Sequence, residues 1–146
     1  MLISGPVTSW FIALLLAMAG VVPVRNAADA AYRSEIADAL LMLDATAHER
    51  ALLVRIAGLE SSFSRRIAEC RYQGREGDAG ASLGLWQVQP RTQDERELLC
   101  GPVLQQAAIA LARVRESLAS CGDLSGYTCG HCQPSEPKAR ARWVSP

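Results

Sequence analysis

"TAHERALLVRIAGLESSF", residues 46–63, decides how this chain is read. Its first four residues have the form of a capping box, in which the Thr46 hydroxyl and the Glu49 carboxylate each satisfy a backbone N–H left unpaired at a helix start. A helix is therefore predicted from Ala47 to about Ser62. At ~100° per residue, Leu52, Ile56, Leu59 and Phe63 fall within roughly 60° of one line, and Glu60 falls inside that sector. A carboxylate turned towards apolar groups has its charged form disfavoured, and its pKa rises towards the range where it can hold and release a proton near neutral pH. A general acid needs that property. The pattern alone leaves a second reading open, in which Glu60, close to the helix end, reaches solvent or pairs with Arg65 or Arg66.

Helical periodicity recurs on both sides. Tyr32, Ile36, Leu40 and Leu43 form a stripe within Asp29 to Leu43, leaving Arg33, Glu35 and Asp38 to solvent. Val103, Ala107, Leu111, Val114 and Leu118 mark a further helix, with Pro102 suited to its first position and Cys121-Gly122 to its end. Between Ser64 and Glu97, glycines, polar residues and a proline break any long period, so a long irregular region with one short helix or turn at Leu85 to Val88 is expected. Such loops are usually functional when a compact domain carries them. No window alternates well enough to predict a strand, and no repeats are visible. The fold class is mainly α.

The chain has 146 residues with 15 basic and 15 acidic side chains, so it holds at most one domain and offers no electrostatic case for nucleic acid. "WFIALLLAMAGVV" (Trp10 to Val22) is too short to span a bilayer comfortably and reads as the apolar core of a secretory leader, with a cleavage pattern at "ADA" (Ala28 to Ala30). The competing reading is a retained anchor. The domain organisation expected is a leader over 1–30, a single domain over 31–132 and a loosely ordered tail over 133–146, rich in proline with "KARAR". Five cysteines in a mature chain on the order of 115 residues fit an exported protein, periplasmic or extracellular, with no stable membrane span after cleavage.

The stretch downstream of the acid adds a resemblance. Glu60-Ser61, followed by Ser82, Gly84, Leu85, Trp86, Gln87 and Pro90 in "SLGLWQVQP" and by Tyr127 and Gly130 in "GYTCGHC", resembles the lytic transglycosylase and goose-type lysozyme families over about Thr46 to Cys132. There Glu-Ser ends a helix, Ser-x-Gly-Leu-Met-Gln follows a variable loop, and Tyr-x-x-Gly follows a long helix; this chain has Trp86 at the position of the Met. The resemblance implies a lysozyme-like fold whose irregular region forms the substrate cleft. It implies a monomer without cofactor or metal that acts on peptidoglycan glycan strands, cutting the β-1,4 bond between N-acetylmuramic acid and N-acetylglucosamine. Glu60 would be the single acid/base of a reaction giving a 1,6-anhydro product. Ser82 and Gln87 would contact the sugar, Gly84, Leu85 and Trp86 would line the cleft, and Tyr127 would hydrogen-bond Glu60. A hydrolytic muramidase needs a second carboxylate. Asp78 in "GDAG" resembles the Asp-containing loop of goose-type enzymes and is equally readable as a turn Asp. Asp44, Glu69 and Glu76 are weaker candidates.

The cysteines carry competing readings. "CGHC" (Cys129 to Cys132) is the sequence of disulfide-isomerase active sites, which need a strand before the pair and a helix after it; here Pro134 and Pro137 follow. A zinc site from Cys121, Cys129, His131 and Cys132 lacks the paired spacing usual for that metal. A helix over Val103 to Ala119 separates Cys100 from Cys121 by roughly 25 Å, too far to bridge. Structural disulfides are expected, Cys70 to Cys100 and Cys121 to Cys132, with Cys129 left over. Cys129 in place of Cys132 as the partner of Cys121 stays open.

Overall fold

The computed structural model of the protein describes residues 6–71 and 81–132. Asp78, Glu76 and the tail lie outside that set. Among the described residues the chain forms helices and turns with no strand, so it is mainly α as expected. The helix that opens the sequence reading, α3 (Ala47–Ser61), starts at the capping box. Glu49 N–H donates to Thr46 Oγ1 (3.1 Å), and Thr46 N–H donates to Glu49 Oε2 (2.8 Å). The preceding helices are α1 (Pro6–Val21) and α2 (Ala27–Met42); short α4 (Arg65–Ala68) and α5 (Gln93–Leu98) follow α3, then long α6 (Val103–Cys121) and short α7 (Ser125–Cys129).

The core is a helix-on-helix packing in which α2 and α3 meet α6, while α1 covers α2 and α3. Ile36, Leu40, Leu53, Ile56, Ala57, Ala107, Ala110 and Val114 are fully excluded from solvent. Each buried Leu, Ile or Val side chain among them contributes about 1.5–3 kcal/mol relative to exposure. Arg115 of α6 donates to Glu49 (2.8 Å) and to the Asp44 carbonyl (2.8 Å), tying the long helix to the start of α3. The apolar opening segment is helical and packs inward: Leu14 and Met18 of α1 are buried. Its contact with α3 uses Gly58, where an added Cβ would collide with the Val21 side chain. No described helix is long and apolar enough to cross a membrane.

A buried charge cluster locks this N-terminal part. Arg33, expected on the solvent face, is instead 1% exposed: it donates to Asp29 (3.0 Å) and to the carbonyls of Val22 (2.5 Å) and Pro23 (3.0 Å) and lies 4.8 Å from the Phe63 ring centre. Arg25 pairs with Asp29 (2.9 Å) and also donates to the Ser62 carbonyl (2.9 Å), at the far end of α3. The Arg25 hydrogen bonds, helped by Arg33, hold the Asp29 carboxyl well below the usual carboxylate range.

On the α3 stripe one expectation changes, at Leu59, and Phe63 is buried for a different reason than the helix wheel. Ser62 and Phe63 both have positive φ (52° and 57°), so the helix ends before Phe63 and the wheel no longer governs its direction. The reversal swings Phe63 into full burial, whereas Leu59 is 37% exposed. The short helix or turn expected at Leu85 to Val88 is a tight turn, closed by an antiparallel bridge in which Leu83 and Val88 exchange both backbone hydrogen bonds at 3.0 Å.

Candidate active-site cleft

Glu60 stands on the last turn of α3, one turn beyond Ile56 and Ala57, and is half-buried. It opens onto a cleft of about 780 Å³ that Ser82, Gln87, Tyr127 and Pro90 also line. Three separated stretches of sequence therefore meet at one opening: the end of α3, the 82–90 turn segment and α7. Arg91, Arg113 and Glu116 extend the same wall.

The turn segment is held from below. Gly84 has φ +77°, a conformation that costs a non-glycine residue a Cβ clash, and an added Cβ there would also meet the Gln106 amide and the Leu99 carbonyl. Gln87 has φ +47° without being glycine, and its Nε2 donates to the Gly84 carbonyl (2.9 Å), which closes the turn on itself. Two left-handed residues in four reverse the chain so sharply that Leu85 and Trp86 point into the protein. This corrects the expectation that both line the cleft: they are 0% and 1% exposed. The Trp86 indole N–H donates to the Leu53 carbonyl of α3 (2.8 Å), so the side chain anchors the turn to the helix that carries Glu60. Gly84 is buried in the same way.

Tyr127 meets the turn from the other side. Its hydroxyl donates to the Trp86 carbonyl (2.6 Å), and this bond takes its one proton. Burial pushes the phenol's pKa up strongly, the Glu60 charge adds to the rise and Arg113 opposes it. The phenol is therefore neutral across the ordinary pH range, and Glu60 lies near enough to act on it. Tyr127 N–H donates to Ser117 Oγ (3.1 Å), which itself donates to the Asp123 carbonyl (2.7 Å), fixing α7 against α6.

Sequence reasoning missed several residues. Gln106, 1% exposed, accepts from Leu85 N–H (2.8 Å) and donates to the carbonyls of Ala68 (2.9 Å) and Gly101 (2.7 Å). One amide thus joins α6 to the turn and to the residues flanking both ends of the Cys70–Cys100 disulfide. The signal was present, because Gln106 is a polar residue on the inward stripe of α6, as Glu60 is on α3. On the cleft wall, Arg113 pairs with Glu95 (2.7 Å) and Arg91 with Glu116 (2.9 Å). The Arg91 hydrogen bond holds the Glu116 carboxyl below its ordinary range. Arginines on a helix or loop surface carry no sequence signal that marks a cleft.

The disulfides are Cys70–Cys100 and Cys121–Cys132, with Cα separations of 5.4 and 5.1 Å, and Cys129 is a free, exposed thiol. Cys129 ends a five-residue helix rather than beginning one, so it lacks the helix N-terminus that activates a redox thiol. With Cys121 and Cys132 joined, neither is a thiolate for zinc. Asp44 and Glu69 are exposed and do not line the cleft. Comparison with protein-family models, curated proteins and solved structures finds no match to this chain.

Proposed function

We propose that the protein is a peptidoglycan-cleaving lytic transglycosylase of lysozyme-like fold, with Glu60 as its single acid/base. The observation that carries this reading is the convergence of Glu60, Ser82, Gln87 and Tyr127, from three separated motifs, on one cleft. Protonated Glu60 donates its proton to the glycosidic oxygen as the bond to C1 of the muramyl unit breaks. The resulting carboxylate then takes the proton of the C6 hydroxyl as that oxygen attacks C1, closing the 1,6-anhydro ring. One group acts first as acid and then as base. The cleft volume is in the usual range for a small-molecule site and accommodates part of a glycan strand.

Ser82 and Gln87 supply polar contacts to the sugar. Tyr127 acts as a positioning residue: its proton is committed to the Trp86 carbonyl, so it fixes the turn against α7 and confronts Glu60 with a neutral dipole. Leu85 and Trp86 support the same turn from inside. Export to a periplasmic or extracellular setting accompanies this reading, and the two disulfides support it.

Hydrolysis is the second reading, favoured by Glu116, a carboxylate held ionised on the cleft wall. The experiment is digestion of purified peptidoglycan by wild type and Glu60→Gln. The variant is expected to lose ~10²–10⁴-fold in rate with its fold retained, because the amide keeps the shape and cannot act as an acid. Clearing at the parental rate would end the proposal. The mass of the released muropeptides separates the two readings, since the anhydro product is one water lighter.

A further inference from the structure

A second hollow, of about 370 Å³, lies between α2, the end of α4 and the start of α6. Tyr32, Glu35, Ala39 and Met42 line it from α2 at three- and four-residue steps, hence along one side of that helix. Two features distinguish it from ordinary surface. The Tyr32 hydroxyl is buried with no hydrogen-bond partner among the described residues, and the residue as a whole is 4% exposed. Native proteins rarely leave such a group unpaired. The rim, in turn, is acidic, built from Glu35, Asp38 and Glu69.

The charges are unevenly matched. Arg65 lies 4.7 Å from the Tyr32 ring centre and pairs with Glu35 and Glu69, and Arg71 also pairs with Glu69. Asp38 is exposed and in no ion pair with a described residue. The phenol senses this rim: burial raises its pKa most, Arg65 opposes the rise, and Glu35 and Glu69 add to it. The inner wall is apolar, with Ala39 and Leu104 beside Met42, which is 71% exposed.

We propose that this hollow binds the primary-ammonium side chain of a lysine-bearing peptide, its aliphatic stem against Met42 and Leu104 and its ammonium between Asp38, Glu35 and the Tyr32 hydroxyl. The acidic rim selects a cation, and the apolar wall selects one on a hydrocarbon stem. An ammonium has three donors on a compact head and can reach a single recessed phenol oxygen, which a planar guanidinium fits less well. No group of three or more His, Cys, Asp or Glu side chains among the described residues is placed to hold a metal ion. The site is separate from the Glu60 cleft and stands independently of the function proposed for it.

The test is a titration of the full chain with Nα-acetyl-lysine N-methylamide, followed by amide chemical shifts, beside the uncharged norleucine analogue. Saturable shifts are expected at α2 and the start of α6 with the lysine probe only, weakening as salt is added. Tyr32→Phe and Asp38→Asn should each weaken the lysine probe by at least ~10-fold, the loss expected on removing a hydrogen bond to a charged group or the charge that pairs with it. Tyr32→Phe deletes an oxygen that has no hydrogen-bond partner among the described residues, so it should melt at or above the wild-type temperature, which separates a binding role from a structural one. Equal binding of the norleucine probe, unchanged affinity in both variants, or no saturable shift would each overturn the proposal.

Discussion

Gln106 shows how a single buried polar group sets the geometry of the cleft. Its side chain makes three hydrogen bonds, to Leu85, Ala68 and Gly101, from a position almost closed to solvent. Gln106→Leu keeps the volume and strands one N–H and two carbonyls, each costing roughly 1–3 kcal/mol when it stays buried. A total loss of about 3–5 kcal/mol is expected, read as a drop in the urea midpoint, unless the turn opens to let water reach those groups. Opening would move Leu85 and with it Gln87, so activity should fall further than stability alone explains. The position was as legible as Glu60, both being polar residues on an apolar helical stripe. What singled out Glu60 was the accompanying motif, and no motif surrounds Gln106. Leu85 and Trp86 were misread for a different reason: their inward direction depends on the positive φ of Gly84 and Gln87, and a non-glycine residue such as Gln87 does not advertise that conformation.

Among the elements, length governed what could be read. The helices α2, α3 and α6 have 16, 15 and 19 residues, enough for several turns of stripe, and their bounds fall within about two residues of the predicted ones. The helices α4, α5 and α7 have 4, 6 and 5 residues and show no period. The trace of α4 and α5 in the sequence is a capping hydroxyl, at Ser64 and at Thr92, each accepting from a backbone N–H three residues on, and α7 has no side-chain cap. Tertiary ties hold such short pieces, and the disulfides are prominent among them. In the chain-entropy account the Cys70–Cys100 bridge, closing 30 residues, is worth about 3.6 kcal/mol, and Cys121–Cys132, closing 11, about 2.8 kcal/mol. Replacing each pair by serine should therefore destabilise the chain in that order in urea titrations. The first replacement should also depress activity more, because it frees the residues on which Gln106 holds the turn. Alkylation without reductant should modify one thiol per chain, at Cys129.

At the scale of the whole molecule, the segment expected to be a leader is woven into the fold. A cut after Ala30 would remove Asp29, Arg25 and the carbonyls of Val22 and Pro23, which are the hydrogen-bond partners of Arg33 and Ser62 given above. Arg33 would be left as a charge packed on Phe63 without its carboxylate, and removing one partner of a buried pair typically costs ~3–5 kcal/mol. A chain beginning at Ala31 is therefore expected to melt well below the full chain, and Asp29→Asn to fall between them. The pH dependence checks the cause. Asp29 has its folded pKa lowered, so its contribution is complete above the unfolded value of about 3.9 and is lost as pH falls through the lower folded value. Glu49, lowered to about 2 by the Arg115 and Thr46 hydrogen bonds, adds to the same acid-side loss. Full-chain stability should thus decline below about pH 4, and Asp29→Asn should be weaker at pH 7 with a shallower acid slope. If the chain from Ala31 matched the full chain in midpoint and slope, the Arg25–Asp29–Arg33 cluster would contribute nothing, and the leader could be lost without cost to the domain.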